Sequence, residues 1–196
     1  LEHYPLDSIG WNSSDYVHVL TEVERRAYAD RATHMGDPDF WKVPVKLLTS
    51  KTYAKDRIKN IDMKKATLSS DISASTLDQY ESTETTHYSV VDQWGNAVSV
   101  TTTINLSYGN GHVVEGAGFF LNNEMDDFSS KPGVPNAFGL VGNEANAIQA
   151  EKRPLSSMTP TIVLKDGAPF IVIGSPGGST IITTTMQSIL NVVDHN

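Results

Sequence analysis

TTHYSVVDQWGNAVSVTTTIN, residues 85–105, decides the architecture. His87–Val91 alternates in period two, Asp92-Gln93-Trp94-Gly95-Asn96 supplies turn chemistry, and Ala97–Ile104 makes a return strand. The hairpin starts on the doublet Thr85-Thr86, directly behind a stretch from Thr67 onward that is rich in Ser and Thr and too polar to bury. A sheet that begins on two threonines after such a connector needs a reason. A second hairpin is legible in TPTIVLKDGAPFIVIGS (159–175), with two apolar runs joined through Lys165-Asp166-Gly167.

Outward from the hairpins the pattern is helical. Residues 13–34 carry Ser13, Ser14 or Asp15 as a cap and Val17, Leu20, Val23 and Ala27 as an apolar stripe, and Gly36-Asp37-Pro38 ends the run. A shorter helix is expected over 50–60. Ser175-Pro176-Gly177-Gly178-Ser179 opens a last helix with Ile182, Met186, Ile189 and Val193 on one face. The stretch 122–160, rich in Gly, Asn, Pro and Asp, is too long for a plain connection in a compact domain. Helices before the connector, hairpins after it and a helix behind them predict an α+β layered fold.

Composition removes several functions. The net charge is −8, which argues against a nucleic-acid partner, because phosphates need a basic face. The chain has no cysteine, which excludes disulfides and thiolate chemistry. No apolar run reaches the ~20 residues of a membrane helix, and LEHYPLDSIGWNSSD at the start lacks the features of a signal peptide. No phosphate loop, dinucleotide fingerprint, zinc motif or G-x-S-x-G is present. His18 and Glu22 share a helix face and are expected to form a surface pair. His87 is expected to be structural, and no metal or cofactor is expected.

Hydroxyl chemistry remains. A threonine hydroxyl is a poor nucleophile until a base takes its proton. A cut before Thr85 would create an α-amino group with pKa ~7.7–8.0, suited to that task. The β-methyl restricts χ1 and steadies the hydroxyl. From the residues alone, Thr85 is either the first residue of a strand or a nucleophile awaiting release, and the spacing does not separate the two.

Four segments in order, TTHYSVVDQWGNAVSVTTTIN, FFLNNEMDDFSSKPGVPN, KRPLSSMTPTIV and GSPGGSTIITT, resemble the γ-glutamyltranspeptidases of the N-terminal-nucleophile hydrolase superfamily. The resemblance runs almost continuously over 85–194. It implies a four-layer αββα sandwich, incomplete over this length, and a precursor that cleaves itself between Glu84 and Thr85. Residues 1–84 would then be the end of a large subunit with its linker, and 85–196 most of a small catalytic subunit.

Thr85 would be the nucleophile, and Thr103 its hydrogen-bonding partner. Asn105 would contact the α-carboxyl or amino group of a glutamyl moiety, and Glu124 and Asp127 would bind its α-amino group. Ser156 and Ser157 would hold its α-carboxylate, and Gly177 and Gly178 would form the oxyanion hole. Phe138, where relatives often carry Tyr, would belong to a lid. The implied reaction moves the γ-glutamyl group of glutathione or related donors to water or to an amino acid or peptide acceptor. A related amidase or acylase, or a non-catalytic relative, is the alternative. The resemblance also implies a periplasmic or secreted protein. A large-subunit arginine and further strands of the family lie outside these 196 residues, so this stretch is expected to be inactive alone.

Overall fold

The computed structural model describes residues 1–72, 84–134 and 142–195. They divide into two compact units: Leu1–Asp78 with Phe128–Leu155 and Val193–Asn196, and Gln79–Asp127 with Ser156–Val192.

The first unit is helical. It holds α1 (Leu6–Ile9), α2 (Ser14–His34), α3 (Val45–Leu48) and α4 (Lys51–Arg57). Ser13 caps α2, its hydroxyl accepting the Tyr16 amide at 3.2 Å, and Ser50 does the same for α4 through Tyr53. The helix boundaries thus follow the caps, with α4 ending three residues earlier than expected.

The buried face of α2 differs from the apolar stripe. Val17 and Ala27 are exposed, while Tyr16, Val19, Leu20, Glu22, Arg26 and Ala29 are buried. Two ionisable residues occupy the inner face because they satisfy each other. Arg26 donates to Glu22 at 2.6 Å and to Asn60 at 2.9 Å, and the Thr67 hydroxyl donates to Glu22 at 2.6 Å. The expected surface pair of His18 and Glu22 is therefore corrected. Glu22 is buried, and His18 instead hydrogen-bonds the Asp62 carbonyl at 2.9 Å. Burial opposes ionisation of Glu22, but the hydrogen bonds from Thr67 and Arg26 outweigh it and hold the carboxyl below its ordinary range.

Removing Glu22 strands the Arg26 guanidinium in the interior. Glu22→Ala is expected to cost about 3 kcal/mol of stability, read by urea unfolding. Because the folded pKa is depressed, the contribution of Glu22 is complete above the unfolded pKa near ~4.3 and fades as pH falls through the folded value.

The second unit holds two antiparallel hairpins, β1 (Thr86–Val91) with β2 (Ala97–Thr102) and β3 (Thr161–Lys165) with β4 (Ala168–Ile173). In the first turn the Asp92 carboxylate accepts the Trp94 and Asn96 amides, each at 2.9 Å. In the second, Asp166 and Gly167 take φ of 54° and 81°, the pair of positive values that a two-residue turn demands. Register runs Thr86 to Thr102, His87 to Thr101 and Ser89 to Ser99, and alternation puts His87, Thr101, Ser89 and Ser99 on one face.

That face meets β4. The Ser89 hydroxyl donates to the Val172 carbonyl at 3.0 Å, and the Ser99 hydroxyl to Ile173 at 2.9 Å. His87 hydrogen-bonds Thr101 at 2.8 Å, which makes it structural as expected. A Cβ on Gly174 would stand 2.3 Å from the His87 ring, so only glycine lets the two hairpins close here.

The chain then enters α5 (Ile181–Asp194) through a short 3-10 turn, Gly178–Thr180. Its buried positions are Ile181 and Thr185, one residue away from the expected stripe, and Val193 is exposed. No helix among the described residues is long and apolar enough to cross a membrane.

Candidate active site

Thr85, Thr103, Asn105, Glu124, Asp127, Ser156, Ser157, Gly177 and Gly178 all fall within the second unit. The β1–β2 register stops at Thr86 and Thr102. The same alternation continued by one residue would put Thr85 opposite Thr103, on the face that carries His87 and Thr101. The same end receives the C-terminus of β4, since Ser99 bonds Ile173 and Gly174 abuts His87. Three residues further on come Gly177 and Gly178. The first strand thus begins its ladder at Thr86, one residue after Thr85.

Thr103 and Asn105 are joined directly, because the Asn105 amide donates to the Thr103 hydroxyl at 2.9 Å. Asn105 is buried and holds φ of 76°, which asparagine tolerates better than most residues. Its side-chain amide donates to the Asn123 carbonyl at 3.0 Å. Asn123 answers by accepting the Leu106 amide on its side-chain oxygen at 3.0 Å and donating its own amide to the Ile104 carbonyl at 3.2 Å. Asn123 was not singled out from the sequence. The Asn-Asn doublet before the acidic run was its only signal, and the doublet does not show that one member braces the loop behind Thr103.

Asn123 leads into the 3-10 turn Glu124–Asp127. Asp126 is exposed and accepts from the Asn123 side chain at 2.9 Å. Glu124 is different. One carboxyl oxygen is buried with no hydrogen-bond partner. Burial, then the charge of Asp127 and a hydrogen bond with it, push the Glu124 carboxyl up to about 7. A carboxyl held back from ionising by burial and a neighbouring carboxyl, with one oxygen unused, is suited to a cation. An arriving ammonium would let both ionise.

Gly177 and Gly178 hold φ of 126° and 54°, and the Gly177 carbonyl accepts the Thr180 amide at 3.0 Å and the Thr180 hydroxyl at 2.8 Å. Successive amides in such a turn make a concavity suited to an oxyanion. Ser156 and Ser157 lie in the extended segment before β3, where the Ser156 hydroxyl accepts the Met158 amide at 3.1 Å. Phe138 falls within 135–141, outside the described residues. Glu84 is exposed immediately before Thr85. Among the described residues there is no cluster of His, Asp and Glu that could hold a metal.

The chain has relatives among known proteins. The chain is 54% identical over 195 residues to a glutathione hydrolase proenzyme of Escherichia coli, covering all of this chain and 34% of that protein. It is 51% identical over 183 residues to a protein of the same name from Pseudomonas aeruginosa, covering 93% of this chain and 32% of that one. The chain thus spans about a third of the length of the curated relatives it matches. The crystal structure of an acivicin-inhibited γ-glutamyltranspeptidase superposes with a TM-score of 0.56 at 70% identity, over 57% of this chain and 59% of that one. Because the γ-glutamyltranspeptidase family matches residues 1–196 throughout, the chain belongs to that family.

Proposed function

We propose that the protein carrying this chain is a self-processing γ-glutamyltransferase and glutathione hydrolase whose nucleophile is Thr85. The observation that carries the reading is the Thr103–Asn105–Asn123 brace that leads to Glu124 and Asp127, directly behind a β1–β2 ladder that runs to Thr86 and Thr102, one residue short of Thr85 and Thr103. The relatives' name, glutathione hydrolase proenzyme, supports both the substrate class and a precursor form.

In the unbroken chain the Thr85 nitrogen is an amide and cannot serve as a base. Maturation begins with attack of the Thr85 hydroxyl oxygen on the Glu84 carbonyl carbon. The C–N bond breaks as a C–O ester forms, the nitrogen becomes an amine, and water then hydrolyses the ester. Glu84 leaves as a carboxylate, and residues 1–84 and 85–196 belong to separate subunits.

In turnover the new amine takes the hydroxyl proton as Thr85 attacks the γ-carbonyl of a donor, and passes it to the departing amine. Gly177 and Gly178 donate their amides to the oxyanion, and Thr103 aligns the hydroxyl. Asn105, Ser156 and Ser157 hold the α-carboxylate, and Glu124 with Asp127 holds the α-ammonium. Water or an amino acid or peptide amine then resolves the ester. Phe138 would face the pocket from a lid.

The two stacked hairpins are the inner β layers of a four-layer αββα sandwich that the longer protein completes with further strands and large-subunit residues. A periplasmic or secreted location belongs to the same proposal. Profiling amide donors on the full-length protein tests the reading: γ-glutamyl amides should be consumed, and α-glutamyl or simple acyl amides should not.

Glu124 gives this reading a pH signature. Its folded pKa is raised, so ionising it in the empty site costs stability progressively from its unfolded pKa near ~4.3 up to about 7. A bound ammonium reverses the preference. Donor binding near pH ~6 should therefore release close to ~1 proton per site, measured by calorimetry in buffers of different ionisation enthalpy. Glu124→Gln should abolish that release, and unchanged release in this variant would contradict the assignment.

A further inference from the structure

The helical unit is assembled from both sides of the Glu84–Thr85 bond: Leu1–Asp78 precede it, and Phe128–Leu155 follow it. If that bond opens, as the proposed function requires, one compact unit becomes a joint between two polypeptides. The backbones meet closely there. A Cβ on Gly36 would lie 2.1 Å from the Ala145 carbonyl oxygen, and Ala145 is fully buried. Asn143 donates to the Ala32 carbonyl at 3.4 Å, a long and weak bond.

One polar contact in this joint is of another order. Arg153 addresses Asp37 with its backbone amide at 2.9 Å, its Nε at 2.8 Å and a terminal guanidinium nitrogen, and the same nitrogen reaches Asp39. The Asp39 amide adds a further donor to Asp37 at 3.1 Å. The Asp37 side chain is 0% exposed although that of Arg153 is 65% exposed. The buried carboxylate is therefore supplied with donors chiefly by a residue on the other side of the scission point. The Glu22–Arg26 and Asp30–Arg57 pairs join residues on the N-terminal side alone and cannot act across it.

We propose that Asp37 and Arg153 form the fastener that keeps the N-terminal product bound to the segment 142–155 of the C-terminal product after scission. A bidentate fork adds direction as well as charge. Once the peptide link is gone, loss of Arg153 would leave the buried Asp37 carboxylate facing an interface that can simply open, and loss of Asp37 would leave the fork without its acceptor.

The test uses the full-length protein with Thr85→Ala, so that it cannot cut itself, and a recognition site for a specific protease placed within 73–83. Added protease then makes the cut whether or not self-scission occurs. Pairing of the two pieces is followed against dilution by native mass spectrometry and size-exclusion chromatography. Asp37→Asn and Arg153→Met should raise the dissociation constant at least ~30-fold. Arg153→Lys keeps the charge but loses the fork and should fall between these variants and the parent. Circular dichroism of the uncut chains checks folding, and if Asp37→Asn fails to fold, Arg153→Lys carries the test. A folded variant whose cut pieces pair as tightly as the parent's would overturn the proposal. Failure of the unmodified protein to cut itself would instead sink the proposed function and leave this measurement standing.

Discussion

Replacing Thr85 by alanine in the full-length protein leaves a single uncut polypeptide with turnover reduced at least ~10⁴-fold. Both losses trace to one oxygen. In the proposed mechanism the hydroxyl is the attacking group in scission and in acyl transfer. Thr103, the residue after the last paired position of β2, already accepts the Asn105 amide at 2.9 Å and belongs to a braced loop. Thr85→Ser separates the contributions. It keeps the hydroxyl and, after cleavage, the amine, so both scission and turnover should survive. Without the β-methyl the hydroxyl samples more χ1 states, and both rates should fall. Gel analysis of the purified protein reads the cut, and steady-state kinetics read the turnover. An uncut, fully active Thr85→Ala protein would be incompatible with the mechanism.

Gly177→Ala is expected to lower kcat by ~10²–10³ with a smaller change in KM, because it removes an interaction made in the transition state rather than one made to the resting substrate. The reason is conformational. Gly177 sits at φ of 126°, where a side chain is strained, and a Cβ would come within 2.7 Å of the Thr180 hydroxyl oxygen. An alanine must rotate out of this region and carry the amide plane with it. The Thr180 hydroxyl, which now donates to the Gly177 carbonyl at 2.8 Å, loses its acceptor in the process. Maturation passes through a tetrahedral carbon too, so if the same turn serves it, scission should slow in this variant. Wild-type kcat from Gly177→Ala would remove the oxyanion role from this turn.

Much of the fold could be read from local chemistry. Ser13 and Ser50 announce two helices, and Asp92–Asn96 and Asp166-Gly167 announce two hairpins, because caps and turns depend on residues close in sequence. The buried faces were less legible. Glu22 and Arg26 look like solvent-facing residues until Thr67 and Asn60, some forty positions away, are seen to satisfy them. The apolar stripe of α2 was consequently misplaced, and that of α5 was offset by one residue.

The site residues were legible through the family motif, while their assembly was not. A run of threonines does not declare its strand partners, and the register does: Thr86 pairs Thr102 and His87 pairs Thr101. The bracing by Asn123 depends on backbone carbonyls that a sequence pattern does not reveal. The unpartnered oxygen of Glu124 and the interleaving of the helical unit across the processing bond are likewise properties of packing.

The most direct test is mass spectrometry of the mature full-length protein, before and after trapping with a γ-glutamyl donor. The account expects one polypeptide beginning at Thr85, and a γ-glutamyl adduct on the peptide that carries Thr85. A protein that stays intact across Glu84–Thr85 while turning over fully, or an adduct on any other residue, would contradict it.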